Sequence, residues 1–167
     1  AHWLRGYAQP TSGSRNSLRA IKWLTIVRLR ANLTEMGKII KFYKTARGAC
    51  PVEEFLDSLP SKVAQKVTWV LEIIESHDST PSSYFKKLVN TEIWECRIQF
   101  GSNIYRILAF FDGNAIVILT HGFIKKTQKT PKGEIEKAEQ YRIDYFKRSK
   151  SWVTLKNILI KERSQIR

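Results

Sequence analysis

Apolar and polar residues alternate along three successive stretches between Trp94 and Phe123, and to either side the spacing lengthens to that of a helix. Trp94, Cys96, Ile98 and Phe100 alternate with Glu95, Arg97 and Gln99, which predicts a strand with one buried face. Gly101-Ser102-Asn103 is a turn. Ile104 to Phe111 forms a second strand that is apolar on both faces except at Arg106, and Asp112-Gly113 marks a hairpin into a third strand from Ala115 to about Phe123. Upstream, Ile39 to Tyr43 reads as a short strand. Pro51 opens a helix whose apolar face is Val52, Phe55, Leu56 and Leu59. After Pro60, Ser61 caps a second helix, Lys62 to Ser76, striped by Val63, Val67, Val70, Leu71 and Ile74. These two helices form a hairpin on one sheet face, and His77 is a solvated helix-end residue. Downstream, Thr130 as cap and Pro131 in the first position start a last helix. Ile135, Ala138, Tyr141 and Tyr145 face the sheet, and Glu134, Glu136 and Glu139 face water.

Residues directly opposite in an antiparallel pair point to the same side of the sheet, so register follows from parity. Matching the apolar faces of the first two strands puts Glu95, Arg97 and Gln99 on one side with Ile104, Arg106, Leu108 and Phe110. A two-residue turn at Asp112-Gly113 extends that side to Val117, Leu119, His121 and Phe123, with Lys125 just beyond. Arg97, Arg106 and His121 are thus expected on one face. An arginine in an otherwise apolar central strand is costly unless it is paired or faces water. Glu95 and an acid on the last helix are its candidate partners, and a purely structural ion pair is as good a reading as a functional one.

Composition adds less than it first promises. The 167 residues carry a net charge of +14, with 43% hydrophobic and 26% charged residues. Such a balance favours an anionic partner without choosing among nucleic acid, acidic protein and membrane surface. Nine of the fourteen surplus charges lie in residues 1–35 and 149–167, so the domain predicted over 36–148 is only moderately basic. Residues 1–35 read as a basic extension, with a linker-like Pro10–Ser17 and a basic helix over Leu18–Leu33. They lie upstream of a domain that begins near Met36; a nucleic-acid or membrane-surface arm and a transit peptide are the other readings. Residues 149–167 form a basic tail with Leu155, Ile158 and Leu159 on one side, expected as a short separate helix. Cys50 and Cys96 are too few for a disulfide framework, and Cys96 serves as a small buried residue. No Cys/His spacing suits zinc, no Gly-rich phosphate loop follows a strand, and no apolar run is long enough to cross a bilayer. No cofactor or metal is therefore expected, and a cytoplasmic location is.

The chemistry on offer is a basic face: Arg97, Arg106, His121, Lys125, Lys126 and Lys129. Arginine matches phosphate with a fork of donors and lysine acts as a point charge. Such groups can stabilise a pentavalent phosphate and protonate a leaving oxygen. A histidine can move protons near neutral pH. On the residues alone, binding nucleic acid is a better reading than cutting it.

The strings W-E-C-R, Y-R-I-L-A-F-F, L-T-H-G-F-I-K-K-T-Q-K-T-P and E-I-E-K-A-E-Q-Y-R-I-D-Y resemble the phage-derived, HigB-like branch of the RelE/ParE toxin superfamily, over roughly Lys38 to Arg148. The resemblance implies a RelE-like α+β fold: strand, two helices, three antiparallel strands and a helix, with helices packed on a small antiparallel sheet. It also implies the toxin of a type II toxin–antitoxin pair, a metal-independent endoribonuclease cleaving mRNA, on the ribosome in many members, through 2′-OH attack. Arg97, Arg106, His121 and Lys126 carry over as catalytic residues, and Lys125, Lys129, Gln99 and Lys132 as RNA-binding ones. Tyr145 is the candidate for a tyrosine that acts near the C-terminus of some relatives, and Ala109 replaces a more usual aromatic. The implied partners are a helix-turn-helix antitoxin, mRNA and the ribosome, with no membrane. The alternatives are a ParE-like toxin of a protein target such as DNA gyrase and an inactive prophage remnant.

Overall fold

The structure is a computed structural model that describes residues 37–164 except Gln128, with side chains through Lys150. The basic extension over 1–35 lies outside the described residues, as do the side chains of Leu155, Ile158 and Leu159. Five strands and three helices follow one another as β1 (Ile39–Phe42), α1 (Pro51–Ser58), α2 (Ser61–Ser76), β2 (Phe85–Lys87), β3 (Trp94–Phe100), β4 (Asn103–Asp112), β5 (Ile116–Lys125) and α3 (Lys132–Ser164). The fold is α+β. The strand order is β1-β5-β4-β3-β2, with β1 parallel to β5 and every other pairing antiparallel. The sheet is therefore mixed, where a purely antiparallel one was expected. The α1–α2 hairpin carries the chain from one edge to the other. The meander from β2 to β5 then returns it beside β1, running the same way. The three-residue β2 at the far edge has no signature in the sequence, because only Phe85 of it is buried.

The apolar stripes do what their spacing predicts. Val63, Val67, Val70, Leu71 and Ile74 of α2 are all buried, with Val52 and Leu59 from the α1 region, against Cys96, Ile98, Tyr105, Ile107, Ala109, Val117 and Leu119 of the sheet. Each such aliphatic side chain contributes about 1.5–3 kcal/mol by leaving water. α1 lies on β5 and α2 on β3. Pro51 occupies the first turn of α1 as expected. Ser61 is already helical and Pro60 takes the cap position, so the expected serine cap is not formed. His77 closes α2 as an exposed residue.

α3 covers the other face. Ala138 is fully buried there, Tyr43 stacks on Tyr141 at 4.6 Å, and Phe110 meets Tyr145 and Phe146 at 5.4 and 5.6 Å. The tail expected as a separate helix continues α3, which runs for 33 residues. At about 1.5 Å per residue it is about 50 Å long, more than the roughly 33 Å of a ten-residue strand. Among the described residues no helix is long and apolar enough to cross a membrane.

The β4–β5 hairpin departs from the expected register twice. Asp112 pairs with Ile116, so the loop has three residues, Gly113 to Ala115, with Gly113 at φ 69°. A bulge then inserts Thr120, since Ala109 pairs with Leu119 and Leu108 with His121. The longer loop reverses the facing of Val117 and Leu119, which belong to the α1–α2 core, and the bulge reverses it back. His121, Phe123 and Lys125 thus reach the Arg106 face because two shifts of one residue cancel. Thr120 is fully buried, and its hydroxyl lies 2.9 Å from the Leu108 carbonyl.

Gly122 explains the glycine of H-G-F. A Cβ there would lie 2.0 Å from the Phe55 ring of α1. Gly122→Ala is expected to cost about 1–3 kcal/mol in urea unfolding, as overpacking does; adding Phe55→Leu should recover part of it. A second expectation concerns Glu75, which accepts the Ile40 N–H at 3.2 Å. Burial, with Glu72 adding and the Ile40 bond opposing, pushes its pKa up from 4.5 to about 7. The folded state then holds a proton that the unfolded state has released, so stability falls as pH rises from 4.5 through about 7. Glu75→Gln should remove that part of the pH dependence in thermal unfolding measured from pH 4 to 8.

A cationic cleft at the uncovered end of the sheet

α3 covers only part of its sheet face. Beyond its first turn, at the end of the sheet marked by the Gly101-Ser102 turn, an open cleft of about 590 Å³ remains. Arg97 of β3, Arg106 of β4, and Lys125 and Lys126 at the end of β5 are its cations. Ser102, Asn103, Ile104, Ile124 and Thr127 complete its wall.

Arg97 and Arg106 are directly opposite partners in the β3–β4 ladder, as parity predicts. Like charges so placed repel, and Arg106 has only 10% of its side chain exposed. Glu95 resolves both problems. Its Oε1 accepts from Arg106 Nε at 3.0 Å and from Arg97 Nε at 3.1 Å, and its Oε2 accepts from the Thr130 hydroxyl. Arg106 Nη1 donates to the Tyr105 carbonyl at 2.8 Å and the Ile98 carbonyl at 3.4 Å, and Arg97 Nη1 to the Ser82 carbonyl at 3.4 Å. The structural ion pair is therefore real, and the same arginines line the cleft.

The carboxylate stays charged. Burial alone would raise its pKa, but the Thr130 hydroxyl, the charges of Arg106 and Lys125 and the Arg97 hydrogen bond outweigh that and hold it below 4.5. Lys125 is lowered from its usual value, chiefly by burial and further by Arg106 and Arg97, against the pull of Glu95. Arg106 is lowered by burial too, with Glu95 opposing.

The remaining candidates lie elsewhere. His121 shares the sheet face but not the cleft. It is 2% exposed beneath α3, with Nε2 donating to Glu134 at 2.8 Å and Nδ1 beside the Thr120 hydroxyl at 3.1 Å. Burial lowers its pKa, with the Glu134 bond opposing. Glu134 thus turns inward, where a solvent-facing residue was expected. Tyr145 donates to Asp112 at 2.7 Å at the opposite end of the sheet, and burial and Asp112 push its pKa up to about 12. Gln99, Lys129 and Lys132 are exposed, outside the cleft wall. α3 starts at Lys132, with Pro131 in the cap position, so Thr130 is not the cap; its hydroxyl is spent on Glu95. Alternation already puts Glu95 on this face. Its pairing with Arg106 was one of the two candidates in the sequence, and Arg97 stands two residues along the same strand face; that it also takes a threonine 35 residues away is a tertiary fact with no local signal. Among the described residues no group of three His, Cys, Asp or Glu is placed to hold a metal.

Removing one partner of a buried pair strands the other. Glu95→Ala is expected to destabilise the fold by roughly 3–5 kcal/mol in chemical denaturation, and Glu95→Gln, which keeps an acceptor for both guanidiniums, by less.

Residues 54–143, from α1 into the middle of α3, match the family model described as Phage derived protein Gp49-like (DUF891). This span is just over half of the chain and contains Glu95 and all four cations of the cleft. No curated protein matches the chain. The chain belongs to the phage-derived Gp49-like family, a toxin-like family within the RelE/ParE-like toxin superfamily.

Proposed function

We propose that this protein is the toxin of a type II toxin–antitoxin pair, of the HigB-like branch and with a RelE-like arrangement, and that it cuts mRNA in the cationic cleft. The observation that carries the reading is the opposed pair Arg97 and Arg106, both bonded to one buried carboxylate, in an open cleft that also presents Lys125 and Lys126. Two guanidiniums and two ammoniums converging on one cleft suit a phosphodiester whose negative charge grows during reaction.

The reaction follows from what each group can do. The substrate 2′-oxygen attacks phosphorus, the bond to the 5′-oxygen breaks, and a 2′,3′-cyclic phosphate remains. Arg97 and Arg106 bind the non-bridging oxygens of the pentavalent phosphate. Lys125 is the deeper lysine, and its lowered pKa makes it a stronger acid than an ordinary lysine, so it delivers the proton to the leaving 5′-oxygen. Lys126, exposed at the rim, binds substrate, as do Lys129, Lys132 and Gln99 further out. The 2′-hydroxyl proton leaves to water. His121, sealed under α3, secures the helix. The partners in this reading are mRNA on the ribosome and an antitoxin of the helix-turn-helix type that covers the cleft, all in the cytoplasm.

Induction of the protein in bacterial cells, followed by primer extension on mRNA, tests this. Position-specific breaks are expected, and Arg97→Ala or Lys125→Met should reduce them about 100-fold, as loss of a group stabilising the transition state does. Intact mRNA accompanied by DNA-damage signalling would overturn the reading in favour of a protein target such as gyrase.

A further inference from the structure

Glu95 lies beneath the cleft and not in its wall. Its side chain is 1% exposed, and both guanidiniums meet its Oε1 through Nε. Both arginines nevertheless line the cleft, so a ligand there can meet the guanidinium nitrogens that these bonds leave. Without the carboxylate, two like charges opposed across a strand ladder would swing apart. The other carboxylate oxygen is taken by Thr130, between Lys129 and the start of α3. This one bond ties the segment carrying Lys126 and Lys129 to β3.

We propose that Glu95 and Thr130 are positioning residues for the cleavage reaction: Glu95 aims the two arginines at one phosphate, and Thr130 latches the lysine-bearing segment onto the same carboxylate. The inference rests on the RNA-cleavage reading. It makes a demand that a merely structural role does not. A negative charge under the cleft weakens its attraction for RNA in the ground state, while the geometry it enforces serves the transition state. Binding and catalysis should then respond to Glu95 in opposite directions.

The experiment uses the full chain and two readouts. Cleavage is followed on mRNA bound to ribosomes, and binding on a 2′-O-methyl RNA oligonucleotide, which lacks the nucleophile, by fluorescence anisotropy at fixed salt. Glu95→Gln is expected to lower the cleavage rate about 10–100-fold while the oligonucleotide binds as tightly as to the wild type or more tightly. Thr130→Val, which frees the segment carrying the RNA-binding lysines, should lower cleavage about tenfold and weaken binding by less, and Thr130→Ser should restore both. Wild-type cleavage by Glu95→Gln or by Thr130→Val, or a loss of binding that parallels the loss of cleavage in Glu95→Gln, overturns the inference and leaves the ribonuclease reading standing. Absence of cleavage by the wild type overturns both. If Glu95→Gln shows no cooperative thermal transition, the Thr130→Val and Thr130→Ser pair decides.

Discussion

A carboxylate with 1% of its side chain exposed can stay ionised only if the groups around it return what burial takes away. Glu95 has four such groups: Thr130, Arg106, Lys125 and Arg97. In return it lets β4 carry a nearly buried arginine through the middle of the sheet and lets a second arginine stand directly opposite. It also anchors the segment that joins β5 to α3. The charge balance of the cationic cleft and the tie between β3 and the approach to the last helix both run through this one side chain.

The second constraint is how α3 divides its sheet face. Where the helix lies, the face is apolar and sealed by Ala138, Tyr141, Tyr145 and Phe146 around Phe110 and Leu108. Where it stops, the face becomes charged and open. His121 falls on the covered side of that boundary and bonds to Glu134 in the first turn of the helix. Arg106 and Lys125 fall on the open side. The start of α3 therefore decides which polar residues of one continuous face are available to a ligand, and Thr130 helps set where that start is.

Basicity as such explains little of this. Most of the surplus charge lies in the two flanks, outside the span that matches the Gp49-like family. What distinguishes the cleft is arrangement: four cations within one cleft above a single buried anion. This is the arrangement a phosphate ligand needs, and a surface of scattered lysines does not supply it.

Local rules were enough for the parts whose causes are local. The stripes of α1 and α2 and the shared face of Arg97 and Arg106 follow from spacings of two, three and four residues, and each is present in the structure; the turn expected over Gly101-Ser102-Asn103 is there too, one residue shorter because Asn103 already pairs with Phe100. The strand β5 was different. Its charged end reached the right face only because a three-residue loop and the bulge at Thr120 cancel, and neither is written in the residues around them. Likewise, the parallel pairing of β1, the single long α3, the inward turn of Glu134 and the sealing of His121 depend on where a helix comes to rest on a sheet. The sequence by itself determined which residues alternate, which helices form and which cations lie on a common face, because those properties repeat along the chain. The tertiary structure alone decided which of those cations stay open to solvent, and that Glu95, rather than an acid of the last helix, pairs with Arg106 and takes Thr130 as well, because both depend on contacts between segments far apart in the chain.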